Sequence, residues 1–219
     1  MRYNKISNNP FDRHRISYPF CTWDGAFTED ELNDIENYCE TFDQVSSKVS
    51  EKISDQGSDE LLSDVRKSKV AWFQKNQHPK LHHLFDKLNL VIEKVNDDYY
   101  NYDLNGYAVI QYTTYNGNEL DHYEYHVDMH TGNDIEAHGD IWLKYGDTRK
   151  LSLSLILSDS QSYEGGKFTM KMGGSIELEV EQKRGRVIFF PSFYLHKVHP
   201  VTKGVRKSIV AWVEGPKFR

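Results

Sequence analysis

Four residues of this chain have the chemistry and spacing of a metal centre with an adjoining anion site: His126, Asp128, His196 and Arg206. His126 and Asp128 are two residues apart, a spacing that places both side chains on one face of a β-strand. Two imidazoles and one carboxylate suit Fe(II) and leave three coordination positions open. The guanidinium of Arg206 is suited to hold a carboxylate through two parallel hydrogen bonds. The four residues therefore predict a ferrous centre beside a carboxylate site.

The His-x-Asp spacing does not select these residues by itself. A second pair of the same spacing occurs at His138 and Asp140, and His199 follows His196 by three residues. The stretch 130–141 around the second pair is polar and is typical of a loop. We therefore favour His126 and Asp128 as ligands, while His196 and His199 are both candidates for the third ligand.

Longer motifs surround the favoured residues. The distal segment contains Pro191-Ser192, Leu195-His196, Val198, Pro200-Val201, Gly204 and Arg206. The proximal segment contains Tyr115-Asn-Gly and Tyr123-Glu-Tyr-His-Val-Asp, and three further strings are Arg66–Trp72, Leu151–Ser158 and Tyr163-Glu-Gly-Gly. Together these motifs resemble the 2-oxoglutarate- and Fe(II)-dependent dioxygenases of the prolyl and lysyl hydroxylase type. The chain is most similar to the PKHD-type hydroxylases of bacteria and phages.

The resemblance implies a role for each matched residue. It implies that His126, Asp128 and His196 bind Fe(II), and that Arg206 binds the far carboxylate of 2-oxoglutarate. It implies co-substrate contacts for Tyr115 and Ser208, with Tyr112 and Tyr123 as alternatives to Tyr115. Three residues are expected near the substrate: Arg66, Trp72 and Trp142.

Because 200–204 predicts a turn, we expect the strand of Arg206 to return antiparallel beside the strand of His196.

Composition restricts the class of protein. The 219 residues carry a net charge of −6, which provides no basic footprint for nucleic acid. The two cysteines, Cys21 and Cys39, are far apart in sequence and predict neither a disulfide framework nor a zinc cluster. Neither a signal peptide nor an apolar run of membrane-spanning length is found, so we expect a soluble, cytoplasmic protein. The number of subunits is left open.

The patterning predicts two helices followed by a series of strands. Thr28 and Glu31 form a capping-box motif before a helix at about 29–42, and Pro79 begins a second helix at about 79–97. Residues 44–62 are predicted to be a loop, and 65–73 has a partial strand pattern. Further strands are expected at 106–115, 121–127, 151–158, 166–172, 175–180, 186–190, 193–199 and 206–213.

This order indicates an α+β fold, with a double-stranded β-helix (jelly-roll) core and helices packed on one sheet. We expect one dioxygenase domain over 1–219. Within it, residues 1–100 are expected to be a helical support region and residues 101–219 the catalytic jelly roll.

The resemblance implies a hydroxylase that couples oxidation of a C–H bond to conversion of 2-oxoglutarate into succinate and CO2. Its cofactors would be Fe(II), 2-oxoglutarate and O2, with ascorbate as a further candidate. A prolyl residue of a protein or peptide is the first substrate hypothesis, and lysyl residues, free amino acids or other small molecules remain open. A Lewis-acid hydrolase or isomerase and a non-catalytic jelly-roll binding module are the rival interpretations. Residues 129–149 are predicted to form a lid over an extended peptide.

Overall fold

The computed structural model describes residues 18–47, 65–129, 147–173 and 176–217. Trp142, His138, Asp140 and most of the predicted lid lie outside these residues. Within them the helices are α1 (Glu29–Cys39) and α2 (His82–Val95). The strands are β1 (Cys21–Trp23), β2 (Val45–Ser46), β3 (Arg66–Lys67), β4 (Lys69–Phe73), β5 (Ile110–Asn116), β6 (His122–His126), β7 (Asp147–Ile156), β8 (Tyr163–Gly165), β9 (Phe168–Lys171), β10 (Glu177–Val180), β11 (Val187–Pro191), β12 (Leu195–Val198) and β13 (Val201–Pro216).

Two antiparallel sheets face each other and form the jelly roll. The larger sheet has the order β1-β11-β7-β13-β5-β4-β2, with β8 paired to β13. The smaller sheet has the order β10-β9-β12-β6-β3. The predicted α+β fold with a jelly-roll core is therefore confirmed.

Strand alternation divides the apolar residues between two layers. On β7, Leu151, Leu153 and Leu155 pack with the helices, whereas Ile156 joins the apolar cluster between the sheets. Strand β11 alternates in the same way, with Phe189 toward the helices and Phe190 toward the interior. Because successive side chains on a strand point to opposite faces, the larger sheet is buried on both sides. The polar side chains on the inner face of the larger sheet therefore lie inside the barrel.

The helices cover the outer face of the larger sheet. Thr28 and Glu31 make the predicted reciprocal capping box at the start of α1. Helix α1 ends at Cys39 rather than at 42. A 3-10 turn at Pro79–Leu81 precedes α2, and a π-helical turn at Asn96–Tyr100 follows it. The apolar stripe of α2 is buried against the sheet, as its helical spacing predicts.

The N-terminal region contributes strands as well as helices. Strand β1 pairs with β11, and β4 pairs with β5, so both extend the larger sheet. Strand β2 lies at the start of the stretch predicted to be a loop, and residues 48–62 of that stretch are outside the described part. At the other predicted loop, residues 147–149 belong to β7 and not to a lid.

The expected pairing of the His196 strand with the Arg206 strand is wrong. Strand β12 pairs with β6 and β9 in the smaller sheet, whereas β13 pairs with β5, β7 and β8. The chain therefore crosses between the sheets at Pro200. Arg206 approaches the interior from the sheet opposite His196.

Neither helix of the described residues has both the length and the apolarity that crossing a bilayer requires.

Candidate metal and co-substrate site

The two candidate imidazole ligands are cross-strand neighbours. His126 on β6 lies directly opposite His196 on β12, and their ring centres are 4.1 Å apart. Antiparallel pairing therefore sets their separation, since directly opposed side chains are the nearest neighbours across a sheet. Phe190 packs 4.6 Å from the His196 ring and keeps this side of the site apolar.

Asp128 lies two residues beyond the end of β6, where backbone hydrogen bonds hold the chain in place. The N–H groups of Asp128 and Met129 both donate to the carbonyl of Ser192, at 2.9 and 3.0 Å. The Asp128 carboxylate then lies 3.6 Å from His126 Nε2 and 3.5 Å from His196 Nε2. The candidate ligand atoms of these three residues all fall within 4.8 Å of one another. That arrangement fits a single metal ion held by two nitrogens and one oxygen.

Both histidines have a fixed hydrogen-bonding arrangement. His126 Nδ1 is 2.7 Å from the carbonyl of Glu124, and His196 Nδ1 is 3.0 Å from the carbonyl of Tyr194. Since a carbonyl only accepts, each Nδ1 carries the hydrogen and each Nε2 presents its lone pair to the site. Burial and the adjacent His196 lower the pKa of His126 to about 3. His126 is therefore neutral at physiological pH, as a metal ligand must be.

The pKa of Asp128 reflects competing effects. Burial raises it, but the two imidazoles, Arg149 and a hydrogen bond from Ser152 together lower it below its ordinary value. The side chain therefore remains a carboxylate although it is buried. Ferrous ion requires this ionised form.

Arg206 is a buried cation inside the barrel, with 2% of its surface exposed. Its Nε donates to Gln182 Oε1 at 2.6 Å, and its Nη1 donates to Ser208 Oγ at 3.3 Å. Tyr163 also hydrogen bonds to it, and burial lowers its pKa. Within the described ranges its partners are neutral, and no carboxylate lies within ion-pair distance. A buried guanidinium with only neutral partners fits an anionic ligand, because an uncompensated charge in the interior is costly.

The residues predicted around the co-substrate differ in position. Tyr115 is opposite Arg206 on β5, with its ring centre 5.4 Å from the guanidinium carbon. Tyr112 faces the helices and belongs to the outer core, so it cannot contact the barrel interior. Tyr123 stacks on His126 with ring centres 3.4 Å apart. Ser208 contacts Arg206, as described above.

Gly166 makes space for Arg206. It has φ +62°, and a Cβ atom there would lie 3.1 Å from Arg206 Cδ and 3.0 Å from Val201 Cγ2. A side chain at this position would be strained by the backbone and would press on the guanidinium stem. The Tyr-x-Gly-Gly turn therefore has a geometric function next to the candidate anion site.

The predicted substrate-side residues that are described lie at the open edge of the barrel. Arg66 on β3 has its guanidinium carbon 4.5 Å from the centre of the Tyr123 ring. Trp72 on β4 is 48% exposed, and its ring lies 5.6 Å from that of Trp212. His199 lies elsewhere, with Nε2 3.0 Å from Thr169 Oγ1 and 3.3 Å from Glu177 Oε1. It does not join the three candidate ligands.

Sequence reasoning missed three supporting residues. Ser152 Oγ donates to Asp128 Oδ2 at 2.7 Å and lies 2.9 Å from Ser192 Oγ, and both serines are fully buried. Gln182 bonds to Arg206 and donates to the carbonyl of Gly166 at 2.8 Å. Serines at alternate positions of an otherwise apolar strand were a signal for inward polar groups at 152 and 154. No local pattern points to Gln182.

Replacing Ser152 by alanine should weaken metal binding without unfolding the protein. The change removes the side-chain hydrogen bond that Ser152 donates to Asp128. Loss of such an outer partner typically costs about 10- to 100-fold in metal affinity. Mn(II) titration followed by electron paramagnetic resonance measures the change. Ser154→Ala, two residues along the same strand face, is the matched control, and equal affinities for the two variants would contradict the role of Ser152.

Comparison with known proteins identifies relatives of this arrangement. Residues 110–214 match the model of the 2OG-Fe(II) oxygenase superfamily. A PKHD-type hydroxylase of Synechococcus sp. strain CC9902 is 39% identical over 95 residues, which cover 43% of this chain and 36% of that protein. The match thus spans well under half of that relative, and the same holds for a PKHD-type hydroxylase of Colwellia psychrerythraea, of which 28% is covered.

Two solved structures share the fold over most of the chain. One is a prolyl hydroxylase from Trichoplax adhaerens in complex with a hypoxia inducible factor peptide fragment. It has a TM-score of 0.66 and 17% identity, covering 89% of this chain and 83% of that one. The other is a Pseudomonas putida prolyl-4-hydroxylase, with a TM-score of 0.66, 17% identity and coverage of 90% and 93%. The resemblance drawn from the motifs is confirmed: the chain is similar to PKHD-type hydroxylases in sequence and to prolyl hydroxylases in fold.

Proposed function

We propose that this chain, whose residues 110–214 match the 2OG-Fe(II) oxygenase superfamily, is an Fe(II)- and 2-oxoglutarate-dependent hydroxylase. The proposal rests on one combination of features inside the barrel. Three candidate ligands converge, and Arg206 is buried near them without a carboxylate partner among the described residues. A Lewis-acid hydrolase or a jelly-roll binding module would not require both features.

His126, Asp128 and His196 would hold the ferrous ion. When bound, Fe(II) and 2-oxoglutarate supply the oxidising chemistry, using O2 and releasing succinate and CO2. Asp128 contributes one negative charge, so the site retains a positive charge that favours an anionic co-substrate. Ser152 orients the Asp128 carboxylate, and the carbonyls of Glu124 and Tyr194 orient the imidazoles.

Arg206 would anchor the far carboxylate of 2-oxoglutarate. Gln182, Ser208 and Tyr163 occupy part of its hydrogen-bonding capacity and hold the guanidinium plane in one orientation. This orientation is set before the ligand arrives, which reduces the ordering cost of binding. The apolar side chains between the sheets exclude water from the same space, which limits side reactions. No side chain of the chain is required as a general base in this scheme.

A prolyl residue of a protein or peptide is the proposed substrate. Support comes from the fold, since solved prolyl hydroxylases are among its neighbours and one of them contains a peptide. The partly exposed edge with Arg66, Trp72 and Tyr123 provides an approach to the metal ligands for an extended segment. Ascorbate is a further candidate cofactor in this proposal.

The test is succinate formation by the purified protein. Protein prepared without metal is supplied with Fe(II), 2-oxoglutarate and O2, with and without proline-containing peptides, and succinate is measured by mass spectrometry. We expect succinate only when Fe(II) and 2-oxoglutarate are both present, with an increase on addition of a substrate peptide. Parallel reactions with Zn(II) in place of Fe(II) are the control. Absence of succinate in every reaction, or equal amounts with Zn(II), would refute the proposal.

A further inference from the structure

The open edge of the barrel beside the metal ligands presents hydrogen-bond donors. Arg66 reaches from β3 of the smaller sheet to β5 of the larger one, where its Nη2 donates to Gln111 Oε1 at 3.1 Å. Its Nε donates to Ser68 Oγ at 3.0 Å. The guanidinium also lies on the Tyr123 ring, whose other neighbour is His126. Arg66 is therefore one aromatic ring away from a candidate metal ligand.

Gln111 presents a buried donor toward the same edge. It is 2% exposed, and its Oε1 accepts from both Arg66 and Thr113 Oγ1, the latter at 2.9 Å. Two donors on one atom identify that atom as oxygen, so the other terminal atom is the nitrogen. This Nε2 has no hydrogen-bond partner within the described residues. Buried donors without partners are rare in folded proteins, and each one requires an explanation such as a missing ligand.

Trp212 adds a second donor of the same kind. Its Nε1 is buried and also has no partner in the described part of the chain. On β13, Val210 lies opposite Gln111, and Trp212 is two positions further along the same strand. Trp212 also lies opposite Ser152 of β7, which donates a hydrogen bond to Asp128. Trp72, opposite Gln111 on β4, extends the apolar wall toward solvent. Donors and aromatic faces thus border one side of the candidate active site.

The charges of the site favour an anion at this edge. Across residues 18–47, 65–129, 147–173 and 176–217, Arg66 makes hydrogen bonds to neutral groups and forms no ion pair with a carboxylate. With Fe(II) and 2-oxoglutarate bound, the charges of the metal, the dianion, Asp128 and Arg206 sum to zero, and Arg149, whose guanidinium carbon lies 4.4 Å from the centre of the Trp212 ring, adds a positive charge nearby. The positive charge of Arg66 then remains at the mouth, close to where a substrate would enter. A guanidinium with free donors matches a carboxylate better than any neutral group.

We propose that Arg66, Gln111 and Trp212 form a subsite for a carboxylate of the substrate, which rests on the proposed function as a hydroxylase. The carboxylate has two possible sources with the same chemistry. It belongs either to an acidic side chain beside the hydroxylated residue of a peptide, or to the free carboxyl group of an amino acid. The subsite is separate from Arg206, which lies inside the barrel and is assigned to the co-substrate.

The experiment measures binding rather than turnover. The protein is loaded with Mn(II) and N-oxalylglycine, an unreactive analogue that occupies the co-substrate site. One arm passes a library of heptapeptides with a central proline over the immobilised protein and determines the composition of retained peptides by mass spectrometry. The other arm titrates L-proline and prolinamide and follows the fluorescence of the tryptophans. The first arm detects a carboxylate in a peptide, and the second detects a free amino acid.

We expect the wild-type protein to enrich Asp or Glu in retained peptides, or to bind L-proline at least about tenfold more tightly than prolinamide. Arg66→Gln, which keeps hydrogen-bonding groups but removes the charge, should lose that preference. Arg66→Lys should retain part of it. Lys67→Gln is the matched control, because Lys67 is the adjacent strand residue and pairs with Glu119.

Two results would overturn the subsite. One is that neither arm shows a preference for a carboxylate: retained peptides are not enriched in Asp or Glu, and L-proline binds no more tightly than prolinamide. Retention of no ligand at all counts as the same result. The other is a preference in Arg66→Gln equal to that of the wild type. Mn(II) affinity and substrate-independent succinate formation with Fe(II) are measured on the wild-type protein and on Lys67→Gln. They report separately on the hydroxylase proposal.

Discussion

Replacing Asp128 by alanine is expected to abolish binding of Fe(II) or Mn(II) in the micromolar range and to remove all 2-oxoglutarate-dependent succinate formation. Asp128 supplies the only negative charge among the three candidate ligands, and its carboxylate lies within 3.6 Å of both imidazole Nε2 atoms. Without it, two imidazoles remain. Replacing a residue that hydrogen bonds to a ligand, such as Ser152, lowers metal affinity by up to about 100-fold. The loss in Asp128→Ala should be larger, because a direct ligand is removed. Equilibrium dialysis with metal analysis measures the loss.

The control for this prediction is His199→Ala. His199 is also a histidine of the distal segment, but it contacts Thr169 and Glu177 and is separate from the three candidate ligands. We expect its replacement to leave metal affinity within about twofold, since it affects only partly exposed contacts. Loss of binding in His199→Ala with retention in Asp128→Ala would show that the metal site is assigned wrongly.

Replacing Arg206 by methionine is expected to weaken 2-oxoglutarate binding strongly while leaving metal affinity nearly unchanged. Removing one partner of a buried charge pair costs about 2–5 kcal/mol, which corresponds to about 30-fold to 4,000-fold in affinity. Arg206→Lys should also bind weakly, because an ammonium lacks the planar fork that matches a carboxylate. Titration of the Mn(II)-loaded protein with 2-oxoglutarate by calorimetry measures both effects.

Lys207→Met provides the matched control. Lys207 is the next residue of β13 but points to the opposite face, where it bonds to Glu36 and Glu40 of the N-terminal helical region. Its loss should lower the thermal stability and leave the affinity for 2-oxoglutarate unchanged. Equal 2-oxoglutarate affinities of Arg206→Met and the wild type would exclude the assigned role of Arg206.

Local patterns were sufficient for much of the fold. The capping box at Thr28 and Glu31 predicted the start of α1, because those side chains satisfy backbone groups within one turn. The apolar run at 151–158 predicted β7, although the strand begins at Asp147 in a polar stretch without that signal. Strands β1 and β8 were missed because three residues are too few to show a period.

Short segments of the sequence did not specify which strands pair with each other. The turn at 200–204 suggested a hairpin, yet β12 and β13 belong to opposite sheets. The short turn between them is compatible with a hairpin and does not exclude it. The choice depends on the packing of the eleven other strands and two helices of the described residues, which no short segment specifies.

The sequence by itself pointed to the candidate ligands and to Arg206, through residue types, spacing and the family resemblance of the surrounding motifs. Only the tertiary structure decided what surrounds them. It places Ser152 on the Asp128 carboxylate, Gln182 on Arg206 and Arg66 across the gap between the sheets. These contacts join residues 24, 24 and 45 positions apart. Their hydrogen bonds form only after the two sheets have come together, so the physical information for them lies in the packed barrel.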